Sequence, residues 1–196
     1  MSARAIVTRV ERPRFWVEFL GEEVPCLAPG MGNRVVVGDE VVIHRQPDTT
    51  YVITDRGPRR SCWTATAANL DQIVIVVAAG EPEFDGRLVE RLVGAARQLP
   101  ARPVVAVNKC DLRDEAEVRA RVAPWVERGV PVVLTSAADG RGMPELRWTL
   151  AGRRSALVGQ SGAGKTRLIE ALYPGYGIKE VRGRLYTLPG GGYLAV

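Results

Sequence analysis

The chain has 196 residues, 46% of them hydrophobic and 25% charged, with a net charge of +5 and a pI near 9.4. These proportions describe a globular chain with one or two real cores, and they exclude a disordered or fibrous protein. The longest apolar run, Ile73 to Ala79, is far too short to span a bilayer, and the N-terminus Met1-Ser2-Ala3-Arg4 lacks the apolar stretch of a signal peptide. Cytoplasmic placement without membrane attachment is expected. Cys26, Cys62 and Cys110 stand far apart and His44 is the single histidine, so neither a zinc site nor a disulfide framework is expected. His44 lies in a strand-like run and reads as structural. The basic balance suits a nucleic-acid partner, although Arg supplies 24 of the 27 basic residues, which codon bias alone can produce.

Residues 3–56 read as short strands and turns. The first is 5–10, and the second is 15–20, whose alternation puts Phe15, Val17 and Phe19 on one face and Trp16 on the other. Further strands are expected at 24–27, 38–43 and 50–54. Five short strands in roughly sixty residues fit an OB-fold-like β-barrel. Such barrels bind oligonucleotides with stacking aromatics and a basic groove. Trp16 is a stacking candidate; an ordinary packing role fits it equally well.

Gly57-Pro58-Arg59-Arg60 marks a boundary, giving a barrel over 1–60 and a second domain over 61–196. Gln72–Ala78 is a continuous apolar run, the mark of a strand buried on both faces. Asp85 caps a helix running to Leu99, with Leu88, Leu92, Ala96 and Leu99 along one side. A strand at 104–107 follows. Asp114-x-x-Glu117 resembles a capping box and opens a helix with Val118, Val122, Trp125 and Val126 inward, stopped by Gly129. Then come a strand at 132–135, a helix from Met143 to Leu150, a strand at 155–158, a helix with Leu168, Ile169 and Leu172 on one side, and a hairpin across Pro189–Gly192. Six strands alternating with helices imply an α/β domain with a mostly parallel sheet. Ligands of such sheets bind beyond the carboxyl ends of the strands.

Three motifs fall at those ends. Gly159-Gln160-Ser161-Gly162-Ala163-Gly164-Lys165-Thr166 fits G-x-x-x-x-G-K-[ST] between a strand and a helix. Its glycines let backbone N–H groups face phosphate, the helix start adds positive potential, Lys165 reaches the β/γ-phosphates and Thr166 holds Mg²⁺. Arg167 completes the expected phosphate-binding set. Asn108-Lys109-Cys110-Asp111 is N-K-x-D, which reads guanine: the Asp111 carboxylate accepts from the ring N–H and the exocyclic amine, which adenine cannot supply. Asn108 and Lys109 brace the loop. Thr135-Ser136-Ala137 follows the next strand, and the backbone of Ser136 and Ala137 meets the guanine oxygen. Both guanine motifs precede the P-loop, the reverse of the usual GTPase order, so the chain resembles a circularly permuted GTPase. N-K-x-D argues against a P-loop kinase or ATPase.

A permuted GTPase behind an OB-fold is similar to the ribosome-small-subunit-dependent GTPase A (RsgA) family. The resemblance runs along nearly the whole chain and rests on Val37-Gly38-Asp39-Glu40-Val41, Ala68-Asn69-Leu70-Asp71, Asn108-Lys109-Cys110-Asp111-Leu112 and the P-loop with its preceding Leu157-Val158. It implies GTP hydrolysis with Mg²⁺, contact between the barrel and 16S rRNA, a role in maturing the small (30S) ribosomal subunit, and a monomer. The chain also departs from the family pattern. Where the family has switch I, with a histidine and threonines, it has Lys179-Glu180-Val181-Arg182-Gly183, and no aspartate follows Asp139 to supply D-x-P-G. The family's C-terminal zinc-binding domain does not follow, and the GTPase domain is read as incomplete after its last strand. These departures predict guanine-nucleotide binding with weak or absent intrinsic hydrolysis. The alternative is a degenerate GTP/GDP-binding module that binds RNA without hydrolysis.

Overall fold

The computed structural model describes residues 2–31, 34–175, 184–189 and 191–195. Its first five strands are β1 (Ser2–Glu11), β2 (Arg14–Phe19), β3 (Glu22–Leu27), β4 (Glu40–Arg45) and β5 (Tyr51–Arg56). They close into a barrel in the order β1-β2-β3-β5-β4. The closure between β3 and β5 is parallel and short, Cys26 opposite Tyr51 and Leu27 opposite Val52. Alternation points Val7, Phe15, Val17, Cys26, Val41, Ile43 and Ile53 inward. Phe19 shares the Phe15 face as expected, at the rim, where its ring packs 6.2 Å from that of Tyr51. Trp16 does face outward, but the Arg9 guanidinium lies 3.8 Å over its ring, so one of its two stacking faces is already covered. The His44 ring nitrogen Nδ1 lies 3.4 Å from Ser2 Oγ on the neighbouring strand.

Two short strands that the sequence does not announce, β6 (Cys62–Trp63) and β7 (Ala67–Ala68), follow the barrel. Two residues carry no readable period, which is why they escape a pattern-based reading. They are held on the barrel by backbone and side chains together. Ala68 N–H donates to the Val37 carbonyl at 2.8 Å, and Asn69 Nδ2 to the Gly38 carbonyl at 3.0 Å. Gly38 has φ +81°, and a Cβ there would lie 2.2 Å from the Ala68 carbonyl oxygen; only glycine fits. Arg59 grips the fully buried Asp39 through Nε at 2.7 Å and Nη2 at 2.8 Å. Hydrogen bonding to Asp39 raises the Arg59 pKa further, and Val36 N–H donates to the same carboxylate at 2.8 Å. The Val37-Gly38-Asp39 run is therefore the joint between barrel and sheet.

The second half contains β8 (Gln72–Ala78), α1 (Gly86–Arg97), β9 (Arg102–Asn108), α2 (Glu115–Glu127), β10 (Val132–Leu134), α3 (Met143–Leu150), β11 (Arg154–Gly159), α4 (Lys165–Leu172), β12 (Leu185–Thr187) and β13 (Tyr193–Ala195). The sheet order is β10-β9-β8-β11-β13-β12, parallel except for the edge pair β12–β13. Every residue of β8 is buried. Its period of two deals Ile73, Ile75 and Val77 to the α1–α2 side, with Val89, Val93, Val122 and Trp125. Val74, Val76 and Ala78 go to the α3–α4 side, with Leu146, Leu150, Leu168, Ile169 and Leu172. Each such Val, Leu or Ile side chain contributes about 1.5–3 kcal/mol by leaving water.

Two helix faces differ from expectation. The buried stripe of α1 is Val89, Val93 and Ala96, while Leu88, Leu92 and Leu99 are half-buried on its flank. The β-branched residues lie flat on the sheet, and the longer leucines reach round from one position away. In α2, Val118, Val122 and Trp125 are buried and Val126 is 53% exposed, because one residue further turns the side chain by about 100°. Asp114 caps α2 by accepting from Ala116 and Glu117 N–H, but Glu117 pairs with Arg121 at 2.6 Å rather than closing a reciprocal box.

The sheet also meets the barrel at its far edge. Glu18 accepts from Thr187 Oγ1 at 3.0 Å and from the Tyr193 hydroxyl at 3.4 Å, and burial with this carboxylate raises the Tyr193 pKa. Arg154 pairs with Glu40 at 3.1 Å.

Candidate nucleotide site at the strand ends

The P-loop begins where β11 leaves β8. Gln160 N–H donates to the Val76 carbonyl at 3.0 Å. Gly159 has φ +132°, and a Cβ there would lie 2.1 Å from the same oxygen. Gly164 has φ +86°, and a Cβ there would lie 2.6 Å from Asn108 Nδ2. Both positions have positive φ and a close neighbour, so the spacing of the motif is set by the approach of Gly159 to the β8 backbone and of Gly164 to the Asn108 side chain. The first backbone bond closing α4 is Leu168 N–H to the Gly164 carbonyl, at 2.9 Å. The amides of Lys165, Thr166 and Arg167 have no acceptor within the helix. They sit beside a cavity of about 460 Å³ lined by Lys109, Ser161, Gly162, Gly164, Lys165, Thr166 and Arg167. Lys165 Nζ donates to the Gln160 carbonyl at 3.0 Å, folded over the loop it belongs to.

Asn108 ends β9 and connects the three motifs with one side chain. Its Nδ2 donates to the Ala163 carbonyl at 2.8 Å, and its Oδ1 accepts from Ala137 N–H at 3.2 Å. Lys109 takes the left-handed conformation with φ +64°, which starts a single 3₁₀ turn over Cys110–Leu112. Cys110 is buried, its thiol pushed up by desolvation, and its N–H donates to the Thr135 carbonyl at 3.1 Å. Ser136 Oγ accepts from Ala138 and Asp139 N–H at 3.2 and 3.3 Å, rigidifying its own loop. Asp111 is exposed, and its carboxylate has no hydrogen-bond or ion-pair partner among the described residues.

The structure thus gathers the sequence-predicted residues at one end of the sheet. Ser161, Gly162, Gly164, Lys165, Thr166 and Arg167 form the cavity wall with Lys109, and Gly159, Gln160 and Ala163 lie outside that lining. Asp111, Ser136 and Ala137 belong to the adjoining loops rather than to the cavity lining. The switch I replacement at 179–183 lies outside the described residues. Thr166 is in the cavity wall beside Lys165, and no group of three His, Cys, Asp or Glu residues suited to a metal occurs among the described residues. One hydroxyl with no carboxylate cage fits Mg²⁺ carried by nucleotide phosphates and not an all-protein metal centre. Sequence reasoning placed Gln160 in the phosphate loop but missed that its side chain holds the segment before α1, donating to the Glu83 carbonyl and accepting from Ala78 N–H. A loop packed across another loop leaves no periodicity to find.

A five-stranded barrel feeding a parallel sheet with its loops in the order N-K-x-D, T-S-A, P-loop defines the circularly permuted class of P-loop GTPase folds. Within that class the chain belongs to the RsgA GTPase family, whose profile matches residues 51–186. It is 36% identical over 203 residues to the small ribosomal subunit biogenesis GTPase RsgA of Azotobacter vinelandii, covering 90% of this chain and 59% of that protein. To the protein of the same name from Gemmatimonas aurantiaca it is 35% identical over 191 residues, covering 83% and 62%. The chain therefore spans about three fifths of these relatives (59% and 62%). The crystal structure of YjeQ from Thermotoga maritima superposes with TM-score 0.84 at 30% identity, covering 99% of this chain and 73% of that one. YloQ, described as a circularly permuted GTPase, superposes with TM-score 0.77 at 22% identity, covering 99% and 70%, a likeness of fold.

Proposed function

We propose that the protein is a GTPase that binds guanine nucleotide with Mg²⁺, hydrolyses GTP slowly by itself, and serves assembly of the small ribosomal subunit. The observation that carries the nucleotide reading is Asn108, which ties the P-loop to the T-S-A loop through Ala163 and Ala137. A base-reading loop is thereby fixed to a phosphate-reading loop. In this reading Asp111 accepts from the guanine ring N–H and amine, and the Ser136–Ala137 backbone meets the guanine oxygen. The P-loop amides and Lys165 take the β/γ-phosphates, and Lys165 releases the Gln160 carbonyl to do so. Thr166 would hold Mg²⁺, which neutralises charge developing between the β- and γ-phosphates.

The ribosomal part of the proposal is supported by the similarity to small ribosomal subunit biogenesis GTPases and by the net charge of +5. The barrel, residues 1–60, is the proposed rRNA-contacting unit, with 16S rRNA as its partner. Residues 61–196 form the nucleotide domain of a cytoplasmic monomer. Slow intrinsic turnover follows from the sequence after the P-loop. Without a threonine at 179–183, that segment offers no hydroxyl to close over the γ-phosphate and its Mg²⁺. Multiple-turnover GTP hydrolysis with and without purified small subunits, alongside GDP and GTP binding, tests the proposal. The expected result is binding, slow turnover alone and faster turnover with subunits. Binding without turnover in either condition removes the enzymatic part.

A further inference from the structure

The segment between β8 and α1 reaches the nucleotide site from a side that none of the three motifs occupies. Its course is fixed at both ends. Ala79 N–H donates to the Asn108 carbonyl at 2.8 Å. At the other end the Phe84 ring packs 6.0 Å from Trp125, and Asp85 caps α1 at Leu88 N–H, 2.9 Å. Between these anchors the chain crosses the P-loop. Gln160 Nε2 donates to the Glu83 carbonyl at 2.6 Å while its Oε1 accepts from Ala78 N–H at 3.3 Å. Pro82 lies against Gly162, where a Cβ would come within 3.5 Å of the proline ring. On the guanine side, Lys109 Nζ donates to the Glu81 carbonyl.

These contacts close a ring. Lys109 holds residue 81, Gln160 holds residue 83, and the P-loop that carries Gln160 returns through Ala163 to Asn108, the neighbour of Lys109. The bonds to the segment use backbone carbonyls, and the Glu81 and Glu83 residues are themselves exposed. We infer that residues 81–83 are a strap that couples the guanine loop to the phosphate loop, with Gln160 as its positioning residue. The inference rests on the guanine-nucleotide reading above and adds to it. Order in the P-loop depends on what Lys109 is doing, and the strap carries that dependence. Asn108 supplies the fixed side of the ring. The Lys109–strap–Gln160 side is the adjustable one, because Lys109 has a base to engage and Gln160 belongs to the loop that engages phosphate.

A double-mutant cycle tests this, with mant-GDP as the probe and Mg²⁺ present. Gln160→Met and Lys109→Met keep side-chain length and remove the hydrogen bonds. Each is expected to weaken mant-GDP about tenfold, and the double variant is expected to be no weaker than the poorer single. That is a coupling of about tenfold, or about 1.4 kcal/mol. A purely local role for Gln160 predicts instead that the two losses multiply, and multiplication to within about twofold overturns the strap. A second measurement needs no Gln160 variant. Amide hydrogen exchange at residues 80–85 should slow when GDP binds the unmodified chain and should cease to respond in Lys109→Met. An unresponsive segment in the unmodified chain also overturns the strap. If the unmodified chain does not bind mant-GDP at all, the guanine-nucleotide reading falls and this inference falls with it. Binding with multiplicative losses sinks the strap alone.

Discussion

At the level of single residues, the site is a matter of which atoms are already spoken for. Asn108 spends both ends of its amide on neighbouring loops, and Ser136 spends its hydroxyl on its own turn. Asp111, by contrast, is exposed with no partner among the described residues. A carboxylate left unpaired next to a rigid loop is available to a ligand that donates two hydrogen bonds. Asp111→Asn should therefore weaken GDP by about 10²-fold or more and improve xanthine nucleotides, because an amide offers a donor where guanine also has one. Competition titration of mant-GDP with GDP and XDP measures the switch, and unchanged GDP affinity would take Asp111 out of the site. These residues were legible in the sequence because their spacing reports a backbone requirement. Gly159 and Gly164 each have positive φ and little room for a Cβ, and Asn108 must reach both neighbours. Gln160 was not legible as a positioning residue, since its partners are the carbonyl of Glu83 and the N–H of Ala78, and backbone atoms leave no trace in residue type.

At the level of elements, the strands and helices largely declare themselves through periodicity, and the errors concern how elements lean on each other. Helix α3 spans Met143–Leu150 as its pattern indicates. The face of α1 is displaced toward Val89 and Val93 because contact with β8 and β9 selects the residues that lie flat. The connection between α1 and the end of α2 was invisible for the same reason. Glu90 accepts from Arg128 Nη1 at 2.8 Å, from Arg128 Nη2 at 2.6 Å and from Trp125 Nε1 at 2.9 Å. The Arg128 guanidinium, with help from Trp125, lowers the Glu90 pKa from 4.5 to about 2. A carboxylate depressed in the folded state adds stability that is fully present above its unfolded pKa and is lost as pH falls through the folded one. The stabilisation should therefore be intact above pH 4.5 and fade toward pH 2. Glu90→Gln should flatten that part of the unfolding profile, read by urea midpoints between pH 5 and the acid limit. The change should be small, since the pair is solvent-exposed and screened. A profile of unchanged slope would separate the pair from acid stability.

At the level of the whole molecule, two polar joints bolt barrel to sheet, beside the Arg154–Glu40 ion pair. One is the joint of Gly38, Asp39, Arg59 and Asn69. The other is Glu18 with Thr187 and Tyr193. Barrel residues Ile6 and Val10 also pack on the cluster that fills one face of the sheet. The family-like run at Val37–Val41 stood out in the sequence as a resemblance; the fold supplies its cause, a glycine with no room for a methyl and an aspartate buried under an arginine. Gly38→Ala forces a Cβ toward the Ala68 oxygen at positive φ. It should destabilise the protein by about 3 kcal/mol or more, measured by urea unfolding followed at Trp16 and Trp125 separately. Loss of less than about 1 kcal/mol would show that the joint yields easily.

The permuted order has a consequence for how the site comes into being. Asn108 and its acceptor on Ala163 are 55 positions apart. At a synthesis rate of about 5–20 residues per second, the partner follows about 3–11 seconds later. During that interval the N-K-x-D loop has been made while the P-loop is still to come. The nascent chain passes through a stage with a barrel and one of the two loops that Asn108 joins, and a ligand that bridges those loops can help complete folding only after Gly159–Thr166 has emerged.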